Sequence, residues 1–230
     1  MKTILGLKWS PIAIKLMKKD EPLPKDVPKP RGRLRHCQSI MEARRGKTLL
    51  LTINEHGCPD GASVLGLMKT PEKIKSGEFH FNVGEFASIK ESKRIVDERP
   101  HLNVGDFKAT MLAPLEETPF DPDVVVLTTN PEQAMWISNA YAYFTGERLT
   151  FNTIGYNACC VDSTVIPYLT GKINISLGCY GCRGSTEISD DEVYIAIPAK
   201  LLPKIMNALE KLSKRLIPET RKKTYLSPHP

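Results

Sequence analysis

The chain lacks any long apolar run. Its longest uninterrupted apolar stretch falls far short of the roughly 20 residues that cross a bilayer, and Met1 to Leu7 carries no apolar core of a secretory signal. The expectation is a cytoplasmic protein without a membrane partner. Also missing are a Gly-x-x-x-x-Gly-Lys-Ser/Thr phosphate loop, a Gly-x-Gly-x-x-Gly after a strand and a Gly-x-Ser-x-Gly elbow, which removes the usual support for nucleotide binding and serine hydrolysis. No internal repeat is visible, so solenoids and propellers are excluded. Histidine is sparse: His36, His56, His80, His101 and His229 include no pair at metal-ligand spacing. Concentrated basic charge is absent as well. The net charge is +6, but Lys and Arg are dispersed and alternate with acids, as in Ile89 to Glu98, so nucleic acid is not the expected partner. The one local run, Arg31-Gly32-Arg33-Leu34-Arg35, reads as a solvated or anion-docking segment.

What is there suffices for one folded unit. With 230 residues, 41% of them hydrophobic and 25% charged, the chain buries a full core but is short for two independent domains. We expect a single compact domain over 1–230. Glu21 to Pro30 is its one biased stretch, where Pro22, Pro24, Pro28 and Pro30 force an extended connector. Alternating or continuous apolar segments predict strands at Pro11 to Leu16, Lys47 to Ile53, Lys108 to Leu112, Val124 to Leu127, Leu149 to Ile154, Lys172 to Leu177 and Val193 to Ile197. Helical spacing predicts helices at Leu34 to Arg45, Ala62 to Met68, Glu85 to Asp97, Pro131 to Phe144 and Ala199 to Leu216, with a short helix or turn at Asp162 to Leu169. Asn130 and Pro131 mark a helix start, and Pro218 reads as a helix stop. Strands and helices interleave without a regular βαβ cycle, which predicts an α+β fold with a mixed β-sheet and flanking helices.

Chemistry concentrates in six cysteines. A chain of this size without an export signal has no need of disulfide staples, so reduced thiols are expected. Cys179 and Cys182 lie two residues apart in Gly178-Cys179-Tyr180-Gly181-Cys182-Arg183. That spacing lets both sulfurs face one centre, Gly178 and Gly181 free the backbone to wrap it, and Arg183 offsets the negative charge. Zinc, an iron-sulfur cluster and a thiol-disulfide pair all suit the motif. The dithiol reading lacks the preceding strand-to-helix setting, with an aromatic residue and a proline, that such motifs often show. Cys58 sits in a Gly/Pro loop, Cys159-Cys160 follows another short element, and Cys37 faces inward on a helix, where it also reads as core packing. Neighbouring Cys159 and Cys160 diverge, so one of them is a spare at a tetrahedral ion. Thiols scattered from Cys37 to Cys182 suit a cluster inside a folded domain better than a zinc site built from two close pairs. His36 beside Cys37 and His56 near Cys58 leave a mixed Cys/His site open, but both read as neighbours of such a site or as solvent-exposed rather than as ligands. Ser189-Asp190-Asp191-Glu192 reads as an acidic turn before a strand.

Several motifs follow one another along nearly the whole chain: Pro11-Ile12-Ala13-Ile14-Lys15; Cys37 followed by Ala43-Arg44; Gly57-Cys58 followed by Gly61-Ala62 and Leu65-Gly66-Leu67; Cys160 leading into Pro167; Gly178-Cys179-Tyr180-Gly181 with Arg183; and Asp191-Glu192 before Ile197-Pro198. In these the chain resembles the uncharacterised prokaryotic family grouped under domain of unknown function 169 (DUF169), frequent in methanogens and other anaerobes. The resemblance implies one cysteine at each of four places, here Cys37, Cys58, Cys160 and Cys179, and through them a [4Fe-4S] cluster. Cys159 and Cys182 stand outside that set, and Cys182 competes with it by completing the Cys-x-x-Cys. No reaction comes with the resemblance. A redox partner or a small anionic substrate, docked by Arg31, Arg33, Arg35 and Arg183, is the expected counterpart.

Overall fold

Alternation along the central strands sets the architecture of the computed structural model, which describes residues 1–223. In chain order the elements are α1 (Lys2–Leu5), β1 (Ile12–Lys18), α2 (His36–Arg44), β2 (Leu49–Thr52), α3 (Pro59–Val64), α4 (Glu72–Lys75), α5 (Glu78–Val83), α6 (Ile89–Glu98), β3 (Phe107–Pro114), β4 (Val124–Thr129) and α7 (Pro131–Thr145). A π-helix (Ala158–Val165) then runs into α8 (Ile166–Thr170), followed by β5 (Asn174–Ser176), α9 (Tyr180–Ser185), β6 (Val193–Pro198), α10 (Leu202–Ser213) and α11 (Leu216–Arg221). The six strands form one sheet in the order β2-β3-β1-β4-β6-β5. Val124 and Val126 of β4 and Tyr194 and Ala196 of β6 face a layer made by α2 and the π-helix. Their neighbours Val125, Leu127, Ile195 and Ile197 face α1, α7 and α10. The result is an α+β domain of three layers, and the cysteines lie in the α2 layer.

In place of the mixed sheet expected from sequence, every strand pairing in the sheet is antiparallel. Both faces are covered by helices, so the strands read as continuous apolar runs, a pattern more often produced by buried parallel strands. Leu149 to Ile154 is an irregular segment rather than a strand. The Asn174 side chain of β5 receives it, accepting from Asn152 N–H and donating to Asn152 O, each at 2.8 Å. The helix expected from Glu85 starts at Ile89, where Ser88 Oγ accepts the Lys90 amide at 3.1 Å. Pro218 lies in the first turn of α11, where a missing N–H costs no helical bond. Among the described residues no helix is long and apolar enough to cross a membrane. His229 lies outside the described residues.

Candidate functional site

Leu34 and His56 form a short parallel bridge in which Leu34 N–H donates to Glu55 O at 2.9 Å and Gly57 N–H to Leu34 O at 2.8 Å. The approach is close enough that a Cβ on Gly57 would stand 3.2 Å from the Leu34 carbonyl carbon. The bridge holds the first turn of α2, with Cys37, against the loop that ends at Cys58. Cys58 caps α3, its Sγ accepting the Gly61 amide at 3.4 Å, and Pro59 fills the first helical position. A Cβ on Gly61 would lie 3.3 Å from Cys160 Sγ and 3.7 Å from Cys58 Sγ, so this glycine makes room for two thiols. Cys159 and Cys160 sit in the first turn of the π-helix, which begins after Asn157 at φ 52. They diverge, Cys159 packing with Cys37 and Cys182, and Cys160 with Val64 and Leu65. Finally β5 delivers the chain to α9, which Cys179 caps. Cys182 N–H donates to Cys179 Sγ at 3.4 Å, and Cys179 N–H to Cys182 Sγ at 3.0 Å. This is the strand-to-helix setting that was not evident in the sequence.

All six thiols are reduced and wall one cavity of about 380 Å³. Burial sorts them. Cys159 and Cys182 are deepest, at 2% and 1% exposure; Cys37 and Cys160 keep 8% and 9%, and Cys58 and Cys179 are half-buried. Burial pushes the Cys37 thiol up to about 11 and lifts Cys159 and Cys160 well above the ordinary thiol range. The hydrogen bond shared with Cys182, followed by burial, raises Cys179, whereas hydrogen bonds from the Cys159 and Cys179 thiols hold Cys182 well below the ordinary thiol range. The charge of Cys58 acts on Cys37 and Cys160, that of Cys179 on Cys159 and that of Cys160 on Cys179, so the sulfurs form one electrostatic group. Beside Cys159 and Cys182 lies the fully buried Tyr194 hydroxyl, which has no oxygen or nitrogen partner and faces the two sulfurs. Among the described residues no three Cys, His, Asp or Glu side chains converge on the position of a single metal ion.

Another wall of the cavity carries charge. Asp60, His80, Glu85, Tyr156 and Asn157 all line it. Arg99 forms an ion pair with Asp60 and donates to Tyr156 Oη at 2.8 Å and Asn157 Oδ1 at 3.3 Å. Tyr156 donates to Asp60 Oδ2 at 2.8 Å. His80 Nε2 stands 2.8 Å from Tyr156 Oη and 3.2 Å from Asp60 Oδ2, while Nδ1 meets Glu85. Burial alone lowers His80, but hydrogen bonds to Asp60 and Glu85 outweigh it and lift the group to about 9. Burial raises Asp60, yet His80, Arg99, Asn157 and Tyr156 together bring it down to about 2. Asn157 joins the two walls, its amide donating to Asp60 at 2.9 Å and reaching Cys160 Sγ at 3.9 Å.

Of the arginines expected near the site, only Arg35 lines the cavity, its Nη1 packed over Gly181. Arg183 holds the loop instead, donating to the carbonyls of Leu177, Ser189 and Glu192. Gly178 is needed there, at φ 91 with a notional Cβ 2.8 Å from Arg183 Nε. Arg31 lies exposed, and Arg33 donates to Asn54 O at 3.2 Å. His36 and His56 are buried as stacked neutral rings with centroids 6.2 Å apart. Glu192 of the acidic turn pairs with buried Arg44 at 3.1 Å. The charged wall was not foreseen. Its only sequence signals are Asp60 inside the Cys58 loop and Tyr156-Asn157 just ahead of Cys159.

The family model for DUF169, described as uncharacterised ArCR, matches residues 1–208. The uncharacterized protein MJ0308 of Methanocaldococcus jannaschii is 32% identical over 201 residues, covering 86% of each chain. No solved structure matches.

Proposed function

The chain belongs to the DUF169 family, and from that premise we propose that it is an iron-sulfur protein holding a [4Fe-4S] cluster through Cys37, Cys58, Cys160 and Cys179. One observation carries the reading: the four cysteines implied by family resemblance are the four least buried of the six thiols that wall a shared cavity. The donor set fits the group. Buried thiols that resist ionisation become thiolates when metal replaces the proton, and the Gly61 and Cys182 amides already point at Cys58 and Cys179 sulfurs. A cubane gives each thiolate its own iron, which suits sulfurs that wall a cavity without meeting at one point. When bound, such a cluster supplies one-electron transfer. Arg35 and Lys73 line the same cavity, and neither forms an ion pair among the described residues, which favours a small anion as its occupant.

The test is anaerobic purification and reconstitution, with iron and acid-labile sulfide analysis. Cys37→Ser, Cys58→Ser, Cys160→Ser and Cys179→Ser should each lose most of the iron and visible absorbance, and Cys182→Ser should keep both. Colourless protein without iron or sulfide after reconstitution sinks the proposal. The zinc-stabilised alternative would instead yield stoichiometric zinc and no visible absorbance.

A second reading, a thiol-disulfide protein, is favoured by Cys179 capping α9 with Cys182 held as its thiolate partner. Under it, Cys182→Ser abolishes reduction of a disulfide substrate.

A further inference from the structure

The charged wall has no evident structural purpose that an apolar cluster would not serve. Arg99, His80, Asp60 and Glu85 come from separate turns of the chain, and burying two ion pairs carries a desolvation penalty that such pairs seldom recover in stability. Their charges cancel within the group. What the arrangement provides is an ordered path. Glu85 is the most exposed of the four side chains, at 19%, against 5 to 7% for Arg99, His80 and Asp60. His80 lies between Glu85 and Tyr156, and Asn157 brings the group to the thiols at Cys160.

We propose that His80 is the proton donor of the cavity, recharged from solvent through Glu85, and that the cavity is a reductive site whose substrate takes electrons from the thiolate side and protons from the His80 side. This rests on the iron-sulfur reading and adds to it a substrate class: a small organic anion with an unsaturated or carbonyl-type bond. The balance is two electrons and two protons for each bond reduced. The electrons come singly from an external low-potential one-electron donor, and the multiple bond breaks by one order as two new bonds to hydrogen form. Each proton passes from the His80 imidazolium Nε2 to Tyr156 Oη, which lines the cavity and hands on its own proton, and water restores the imidazolium by way of Glu85 at Nδ1. An electron placed in an apolar cavity is expensive unless a proton follows it, which is what a buried imidazolium beside the site offers.

The groups that meet His80 are Asp60 of α3, Glu85 after α5 and Tyr156 ahead of the π-helix, and Arg99 after α6 and Asn157 join them through Asp60 and Tyr156. From α4, Lys73 lines the same cavity. The charged residues of α6 pair outward, Lys93 with Asp97 and Arg94 with Glu98.

The experiment is an anaerobic redox titration of the reconstituted protein, with dithionite as reductant and substrate omitted, from about pH 6 to about pH 10. In the wild type the midpoint potential should stay level until about pH 9, where His80 titrates, and then fall as reduction takes up a proton. Glu85→Gln, at a half-exposed position, should move that break to lower pH. His80→Gln should lower the potential at neutral pH and remove the break. A wild-type potential level across the range, or a break unchanged in His80→Gln and Glu85→Gln, overturns the inference while leaving the cluster in place. If His80→Gln fails to fold, Glu85→Gln decides alone. Protein without iron after reconstitution overturns the iron-sulfur reading itself.

Discussion

Gly61 and Cys160 are mutual constraints. A methyl group at Gly61 would press on the Cys160 sulfur at 3.3 Å. Gly61→Ala is therefore expected to lower iron uptake, while in the metal-free protein the crowding at Cys160 offsets the about 1 kcal/mol that alanine adds to helix α3, leaving stability within about 1 kcal/mol of the wild type; urea unfolding and metal analysis measure the two effects. Tyr194→Phe removes a buried hydroxyl that faces only the Cys159 and Cys182 sulfurs, which are weak partners, so it should cost the metal-free protein no more than about 1 kcal/mol by thermal melting. At this scale the cysteines were legible because few residue types do thiolate chemistry. Asp60 was not. Its partner Tyr156 is 96 residues away, and the packing of α3 against the π-helix is what joins them.

Helices and loops carry the pH dependence of stability. His80 in the folded chain titrates near 9, against 6.5 in an exposed chain. Its contribution is thus complete below pH 6.5 and is lost as pH rises through about 9, a change of up to about 3 kcal/mol. His36 and His56, neutral at the bridge beside α2, behave oppositely. Burial lowers them to about 3 and about 4, so the unfolded chain takes up their protons first and stability falls as pH drops below 6.5. Urea midpoints of metal-free protein should peak near neutrality and fall on both sides; a monotonic profile contradicts this. Some elements announce themselves in sequence and others do not. The start of α7 was readable because Asn130 and Gln133 cap each other's backbone amides, at 2.9 and 3.0 Å. The π-helix has no comparable sequence marker. Its widened turn is set by Asn157, held at positive φ by contacts to Asp60 and Arg99.

Across the whole molecule, the α+β class followed from the interleaved elements, while strand direction did not, because helices on both faces remove the polar face that usually marks an antiparallel sheet. The helices α4, α5 and α6 stand apart from these layers. They pack chiefly on one another, and Ile74 and Val96 rest on Tyr156. Their contributions to the cavity wall, among them Phe79, His80 and Val83, make them a cap over the thiols. The cap leaves the body after Thr70 and returns at Arg99, whose Nη2 reaches Thr70 Oγ1 at 3.5 Å. Because departure and return meet at one point, the cap is topologically an insertion with a single doorway. A chain in which a short Gly/Ser linker replaces residues 72–97 should keep the three-layer body by circular dichroism while its cavity thiols react faster with a bulky maleimide. On that geometry, the piece that holds the proton donor can be exchanged for another without redrawing the fold that holds the sulfurs.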